Sequence, residues 1–93
     1  MTIEERTRIM KDIMEEIYNL ASLKGNDYNA KNDCMENLRD FGWKGIVVRI
    51  GDKYHRLKAF AKKEKYEVKD ESFEDTVKDI INYALFALIL FRK

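Results

Sequence analysis

Acidic side chains recur at one-turn spacing in the second half of the chain. Asp75 and Asp79 are four residues apart, and Asp52 lies upstream among basic residues. On a helix, positions i and i+4 share a face, so Asp75 and Asp79 could hold one cation between them. Mg²⁺ prefers oxygen ligands and typically takes one or two protein carboxylates together with phosphate oxygens and water. The spacing predicts a Mg²⁺ site formed by Asp52, Asp75 and Asp79.

Basic side chains surround Asp52 and suit phosphate groups. Arg49, Lys53 and Arg56 recur at helical spacing, and such donors form charge-assisted hydrogen bonds with phosphate oxygens. Asn82 continues the stripe of the two downstream aspartates, so it belongs to the same predicted surface. These residues together favour a bound molecule that contains phosphate.

The same charged residues allow a purely structural interpretation. Asp75 could cap its helix, and Asp79 could pair with Arg56, so that the charges form a solvated or intersubunit salt-bridge surface. His55 lies between the apolar and the polar stripe of its segment. We interpret His55 as a partly buried, hydrogen-bonded side chain, because no carboxylate or nucleophile is paired with it in the sequence.

A cluster of turn-forming residues supplies further candidates. Residues 24–29 are rich in Gly, Asn and Asp and include Asp27 and Tyr28, which predicts a turn between two helices. Tyr28 could stack on a nucleobase while Asp27 or Asn37 binds its polar edge, and Trp43 is an alternative stacking residue. In the structural alternative, Asp27 or Asn29 caps the next helix and Tyr28 packs at the edge of the core.

Apolar periodicity predicts the helices that must position these residues. The predicted helices cover residues 3–23, 30–41, 45–64 and 72–91. Capping patterns at Thr2 and Ser72 mark the first and last of them. The inward-facing residues are expected to be Val47, Ile50, Tyr54, Leu57 and Ala61 in the third helix and Phe73, Val77, Ile80, Ile81, Ala84 and Leu88 in the fourth.

Length and hydrophobic pattern predict the fold class. A chain of 93 residues allows one domain with one core, over residues 1–93. Proline is absent and charged residues make up 38% of the chain, which suits helices with charged outer faces. Residues 84–91 are apolar on every side of their helix, so that helix needs cover on two sides. We expect an all-α, small four-helix domain that homo-oligomerisation completes.

Charge and cysteine content exclude several functions. With 18 basic and 17 acidic side chains and no block of one sign, duplex nucleic acid is not expected as a partner. The apolar run 84–91 is shorter than the roughly 20 residues that span a bilayer, so we expect no membrane segment. The single cysteine, Cys34, cannot form an intramolecular disulfide, which fits the reducing cytoplasm.

Several motifs follow one another in a fixed order between residues 24 and 90. They are Gly25-x-Asp-Tyr28, Asn37-Leu38, Phe41-Gly-x-x-Gly45, Val48-Arg-Ile-x-Asp-Lys-x-x-Arg-Leu57, Val68-x-Asp-Glu-Ser-x-x-Asp-Thr76 and Asp79-x-x-Asn-Tyr-Ala84. Together they resemble the phage and prophage family called nucleotide modification associated domain 1. The resemblance implies a protein that acts on or around nucleotides in the cytoplasm of an infected bacterial host.

More distantly, the arrangement is similar to all-α nucleoside triphosphate pyrophosphohydrolases of the MazG and dimeric dUTPase type. Those proteins are helical oligomers that use Mg²⁺ held by acidic residues. Their hallmark glutamates are not reproduced here, because the third predicted helix offers only Asp52 among its cations. Two functions therefore stay open. The protein binds a nucleotide or nucleotide-derived molecule, with or without Mg²⁺-dependent hydrolysis, or it is a non-enzymatic phage inhibitor of host defence that sequesters a signal nucleotide or blocks a host protein.

Overall fold

The computed structural model describes residues 1–28, 36–62 and 72–93. This part of the chain is helical and contains no strand, which confirms the predicted all-α class. The elements are α1 (Ile3–Tyr28), α2 (Glu36–Arg39), α3 (Gly42–Lys62) and α4 (Phe73–Arg92). Because α2 is a single turn of four residues, three helices longer than one turn are described, and the predicted four-helix count is not supported. Cys34 lies outside the described residues.

The first helix begins as predicted and ends later than predicted. The Glu5 N–H donates a hydrogen bond to Thr2 Oγ1 at 3.1 Å, which caps α1. The helix then continues through Gly25 to Tyr28, so the predicted end at residue 23 and the turn predicted from residue 24 are wrong over residues 24–28. One glycine costs a helix only about 1 kcal/mol, and extending an existing helix adds a hydrogen bond for each residue.

The chain divides into two compact units, Met1–Met35 and Glu36–Lys93. The first unit contains α1, and the second contains α2, α3 and α4. The predicted single domain over residues 1–93 stays a prediction. Among the described residues, no helix has the length and the apolar character that crossing a bilayer requires.

In the second unit, α3 and α4 pack as an antiparallel helical hairpin. Trp43 at the start of α3 meets Phe91 at the end of α4, with ring centroids 6.2 Å apart. Phe60 at the end of α3 meets Phe73 at the start of α4 at 6.1 Å. Both ring pairs are edge-to-face, the arrangement that the aromatic quadrupole favours. The order of these contacts sets the direction and the register of the hairpin.

The face of α3 that packs inward is rotated from the predicted face. Ile46 and Phe60 are buried, and Ile50 and Leu57 are half-buried. Ile50 and Leu57 were predicted to face inward, but the predicted core residues Val47, Tyr54 and Ala61 are exposed. The β-branched residues 46–48 are all apolar, so hydrophobicity alone does not show which of them points inward.

The inward face of α4 also differs from the prediction. Thr76 is completely buried, and Asp79, Phe86 and Leu90 are half-buried. Val77 and Ile80, predicted to face inward, are half-buried, whereas the other predicted core residues are exposed, namely Phe73, Ile81, Ala84 and Leu88. Residues that were not predicted to face inward, namely Thr76, Asp79, Phe86 and Leu90, are therefore among the shielded ones, and Phe73 contacts Phe60 of α3 although it is exposed. A helix that is apolar all round, like the second half of α4, offers two equivalent faces to a neighbour.

The start of α4 confirms the capping predicted at Ser72. The Asp75 N–H donates to Ser72 Oγ at 3.1 Å, and Thr76 Oγ1 donates to the Ser72 carbonyl oxygen at 3.0 Å. The second bond explains how a hydroxyl is tolerated at a fully buried position. Glu74 and Asp75 lie in the first turn and Arg92 in the last, a distribution that complements the helix dipole.

We predict that Gly51→Ala stabilises the protein. A Cβ atom built at Gly51 meets no atom within 4 Å, and alanine inside a helix is favoured over glycine by roughly 0.5–1 kcal/mol. The free energy of unfolding in urea, followed by circular dichroism, should rise by that amount. Gly45→Ala is the matched control and should be destabilising, because its Cβ would collide with the Phe41 side chain. A fall in stability for Gly51→Ala would contradict the open environment of this position.

Candidate functional site

A glycine turn joins α2 to α3. Gly42 has φ = +63°, a left-handed conformation that costs other residues about 1–2 kcal/mol. A left-handed glycine commonly ends a helix and redirects the chain. The Gly45 N–H then donates to the Phe41 carbonyl oxygen at 3.3 Å. This turn places α2 against the first turns of α3.

A pocket of about 290 Å³ lies between α2 and the start of α3. Its lining is mostly apolar, includes Arg49 as the charged residue, and consists of Leu38, Phe41, Gly42, Gly45, Ile46, Val48 and Arg49. Gly45 has no side chain, and this absence lets the Phe41 side chain lie against α3. The volume is close to the lower end of the range for small-molecule sites, roughly 300–1,000 Å³.

Arg49 is the charged group of this pocket. Its side chain is exposed, and within the described part of the chain no hydrogen bond or ion pair engages it. A guanidinium group presents several donors in a planar fork that matches the oxygen atoms of phosphate or carboxylate. Apolar walls beside such a group suit a molecule with one apolar end and one anionic end. The predicted phosphate contact at Arg49 thus lies next to an apolar cavity.

Lys53 and Asp79 form an ion pair between α3 and α4. The Lys53 Nζ and Asp79 Oδ2 atoms are 2.9 Å apart, and the side chains are 18% and 33% exposed. The structure therefore brings together a predicted phosphate contact and a predicted metal ligand, but as partners of one another. The structural alternative from the sequence paired Asp79 with Arg56. Arg56 is exposed and takes part in an interaction, and its predicted pairing with Asp79 stays a prediction.

The two other predicted metal ligands are exposed. Asp52 lies on α3 and Asp75 in the first turn of α4. In residues 1–28, 36–62 and 72–93, no three His, Cys, Asp or Glu side chains lie close enough to hold a metal ion. Because Mg²⁺ needs only one or two protein carboxylates when phosphate and water complete its shell, the site at Asp52, Asp75 and Asp79 stays a prediction.

Asn82 is half-buried on α4 and does not line the pocket. The contacts of the hairpin place it level with residues 50–52 of α3. Its Oδ1 atom is buried and has no hydrogen-bond partner among the described residues. A buried acceptor without a donor costs about 1–3 kcal/mol, so this amide is a polar group that a water molecule or a ligand donor would stabilise.

The remaining candidates divide into two groups. Asp27 and Tyr28 end α1 and Asn37 belongs to α2, but their side chains lie outside the described residues. Trp43 contacts Phe91 and is not part of the pocket lining. His55 was predicted to be partly buried, and this is wrong. Its side chain is exposed and lies beside the Tyr54 ring.

Sequence reasoning missed the apolar part of the pocket. Leu38, Phe41, Ile46 and Val48 carry no chemistry that marks a site in a sequence. The spacing Phe41-Gly-x-x-Gly45 before an apolar run was the available signal, since two glycines one turn apart allow a bulky side chain to approach a helix closely.

Comparisons with known proteins agree with the resemblance seen in the sequence. A family model described as nucleotide modification associated domain 1 matches residues 24–91. The match includes α2, α3 and nearly all of α4. Neither the curated proteins nor the solved structures compared with this chain gave a match. The similarity to MazG-type hydrolases therefore stays a prediction.

We predict that the Lys53–Asp79 pair stabilises the hairpin more than an exposed pair does. In a double-mutant cycle with Lys53→Met and Asp79→Leu, the coupling energy should be about 1 kcal/mol, because both groups are partly shielded from water. The control cycle uses Glu74→Gln and Lys78→Met. That pair is 3.3 Å apart with Glu74 77% exposed, and its coupling should be about 0.3–0.5 kcal/mol. Equal coupling in the two cycles would contradict the prediction.

Proposed function

Because the chain belongs to the nucleotide modification associated domain 1 family, we propose that it binds a nucleotide or a nucleotide-derived small molecule. The pocket between α2 and α3 carries this proposal, since it combines apolar walls with Arg49. A nucleotide has the same two parts, a flat base of low polarity on its faces and an anionic phosphate. The pocket volume of about 290 Å³ suits one base with part of its sugar.

In this proposal the base lies against Phe41, Leu38 and Val48, and a phosphate oxygen accepts hydrogen bonds from Arg49. Stacking on an aromatic ring is worth about 1–3 kcal/mol for each base and is tolerant of base identity. Charge-assisted hydrogen bonds to a guanidinium group add about 1.5–3 kcal/mol. Lys53, Arg56 and Asn82 belong to the same unit as the pocket and are proposed to contact the rest of the ligand. The contacts predicted for Asp27, Tyr28 and Asn37 stay predictions from the sequence.

Hydrolysis of a nucleoside triphosphate is a further step of the same proposal. It would need Mg²⁺ held by Asp52, Asp75 and Asp79 against the phosphates. The Lys53–Asp79 pair bears on this step, because a carboxylate already neutralised by a lysine 2.9 Å away is a weaker metal ligand. Binding therefore has more support than turnover, and the protein need not be an enzyme.

The Lys53–Asp79 ion pair favours a second, non-enzymatic function, because it engages one of the three predicted metal ligands. A non-enzymatic phage inhibitor of host defence would bind a signal nucleotide without cleaving it, or would block a host protein through its surface. Such a role would operate in the cytoplasm of the infected bacterium. We also propose that the protein works as a homo-oligomer, since α4 exposes Leu85, Leu88 and Ile89 in the hairpin unit.

A pool experiment separates these functions. The purified protein is incubated with nucleoside triphosphates, deoxynucleotides and cyclic nucleotides plus Mg²⁺, and mass spectrometry is applied to the solution and to the protein-bound fraction. We expect an intact nucleotide in the bound fraction. Release of monophosphate and pyrophosphate would establish hydrolysis. An empty bound fraction with an unchanged solution would contradict nucleotide binding and leave the protein-blocking role.

Substitution of Arg49 tests the pocket itself. Arg49→Ala should weaken binding of the captured nucleotide about tenfold or more in isothermal titration calorimetry, because it removes the phosphate contact. Binding of the matching nucleoside, which has no phosphate, should be unchanged. Val48→Ser should weaken binding of both the nucleotide and the nucleoside by a few-fold, since it removes apolar contact area from the pocket wall. The fold should tolerate this change, because Val48 is 67% exposed.

Lys62→Ala is the matched control for Arg49→Ala. Lys62 is an exposed cation in the last turn of the same helix, so its removal changes the net charge equally but leaves the pocket intact. Its nucleotide affinity should stay within about twofold of the unmodified protein. Equal losses for Arg49→Ala and Lys62→Ala would show that the ligand responds to overall charge, and the proposed site would be wrong.

A further inference from the structure

The hairpin leaves one side of α4 uncovered. α3 packs against the side that carries Thr76, Asp79 and Phe86. On the opposite side, four aliphatic side chains are between 37% and 51% exposed, namely Ile81, Leu85, Leu88 and Ile89. Adjacent exposed aliphatic residues on one helix face are typical of an interaction surface.

The uncovered side has a symmetric order of residues. At 100° per residue, Glu74, Ile81, Leu85 and Arg92 lie on one line along α4, directly opposite the α3 contact. The intervals along this line are seven, four and seven residues. Because this order of intervals is the same in both directions, the four residues of one copy can lie opposite the same four residues of a second copy that runs antiparallel to it.

The charges at the two ends make this self-match specific. In an antiparallel pair of α4 helices centred on residue 83, Glu74 of one copy lies opposite Arg92 of the other, and Ile81 lies opposite Leu85. Glu74 also pairs with Lys78 of its own helix at 3.3 Å and is 77% exposed, so its second carboxylate oxygen can accept from the partner's Arg92. Each contact occurs twice, as a two-fold axis requires. A parallel pair would instead place Glu74 beside Glu74 and Arg92 beside Arg92, which is unfavourable.

We propose that two copies of this chain associate through the uncovered sides of their α4 helices, antiparallel and related by a two-fold axis. The proposal names the surface of the homo-oligomer proposed above. It does not depend on nucleotide binding, because the pocket lies at α2 and the start of α3. The occupant is a second copy because the intervals and the end charges of this surface are complementary to themselves.

Analytical ultracentrifugation tests the surface through its charges. Glu74→Arg and Arg92→Glu should each weaken dimerisation about tenfold, because each change puts two like-charge contacts into the dimer. The combined variant should recover affinity to within about threefold of the unmodified protein, since its contacts are reversed but again opposite in sign.

Lys93→Glu is the matched control. It makes the same change of charge one residue further along, about 100° away from the line, and should leave the dimer unchanged. Leu85→Arg should abolish dimerisation. If the protein is a monomer at all concentrations, both the homo-oligomer and the surface are wrong. If it is an oligomer that none of the α4 variants weakens, only the surface is wrong.

Cysteine cross-linking tests the antiparallel orientation. In a Cys34→Ser background, a mixture of Glu74→Cys chains and Arg92→Cys chains should form the mixed disulfide in preference to either homodimer. Two copies of residue 74 would be about 27 Å apart along antiparallel helices, far beyond disulfide reach. Preferential cross-linking of residue 74 to itself would overturn the antiparallel arrangement, as would failure of the mixed pair to cross-link.

Discussion

The packing of α3 against α4 is the constraint on which the described structure of the second unit depends. An aromatic pair closes each end of the hairpin, Trp43 with Phe91 and Phe60 with Phe73. The Lys53–Asp79 ion pair lies between them. Apolar packing alone would permit α4 to turn about its axis, because its second half is apolar on all sides. A half-buried charge pair does not permit this, since either group without its partner would be desolvated at a cost.

This choice of face has consequences on both sides of the hairpin. Asp79 is directed into the helix interface and meets a lysine there, which makes it less available to a metal ion. The aliphatic side chains Ile81, Leu85, Leu88 and Ile89 remain partly exposed on the outer side of α4, which is the surface proposed for association. The same interaction therefore weakens the case for a hydrolase and strengthens the case for association of two chains.

The pocket depends on a different constraint, the backbone at the α2–α3 junction. The left-handed conformation of Gly42 redirects the chain, and the missing side chain at Gly45 allows the Phe41 side chain to lie against α3. Neither feature involves a charged or nucleophilic residue. Arg49 acquires its significance from this backbone geometry, because the same guanidinium group on an isolated helix would be an ordinary solvated cation.

Some properties follow from the sequence alone because they depend on nearby residues. The all-α class, the cap at Ser72, the positions of α3 and α4 to within a few residues and the family all follow from composition, periodicity and motifs. Tertiary structure decided which stripe of each helix is buried, that Asp79 meets Lys53, and that Phe41, Ile46 and Arg49 share a pocket. Those outcomes depend on packing between residues distant in the chain, where a helix with two apolar faces has two near-equivalent choices and only the neighbouring helix selects between them.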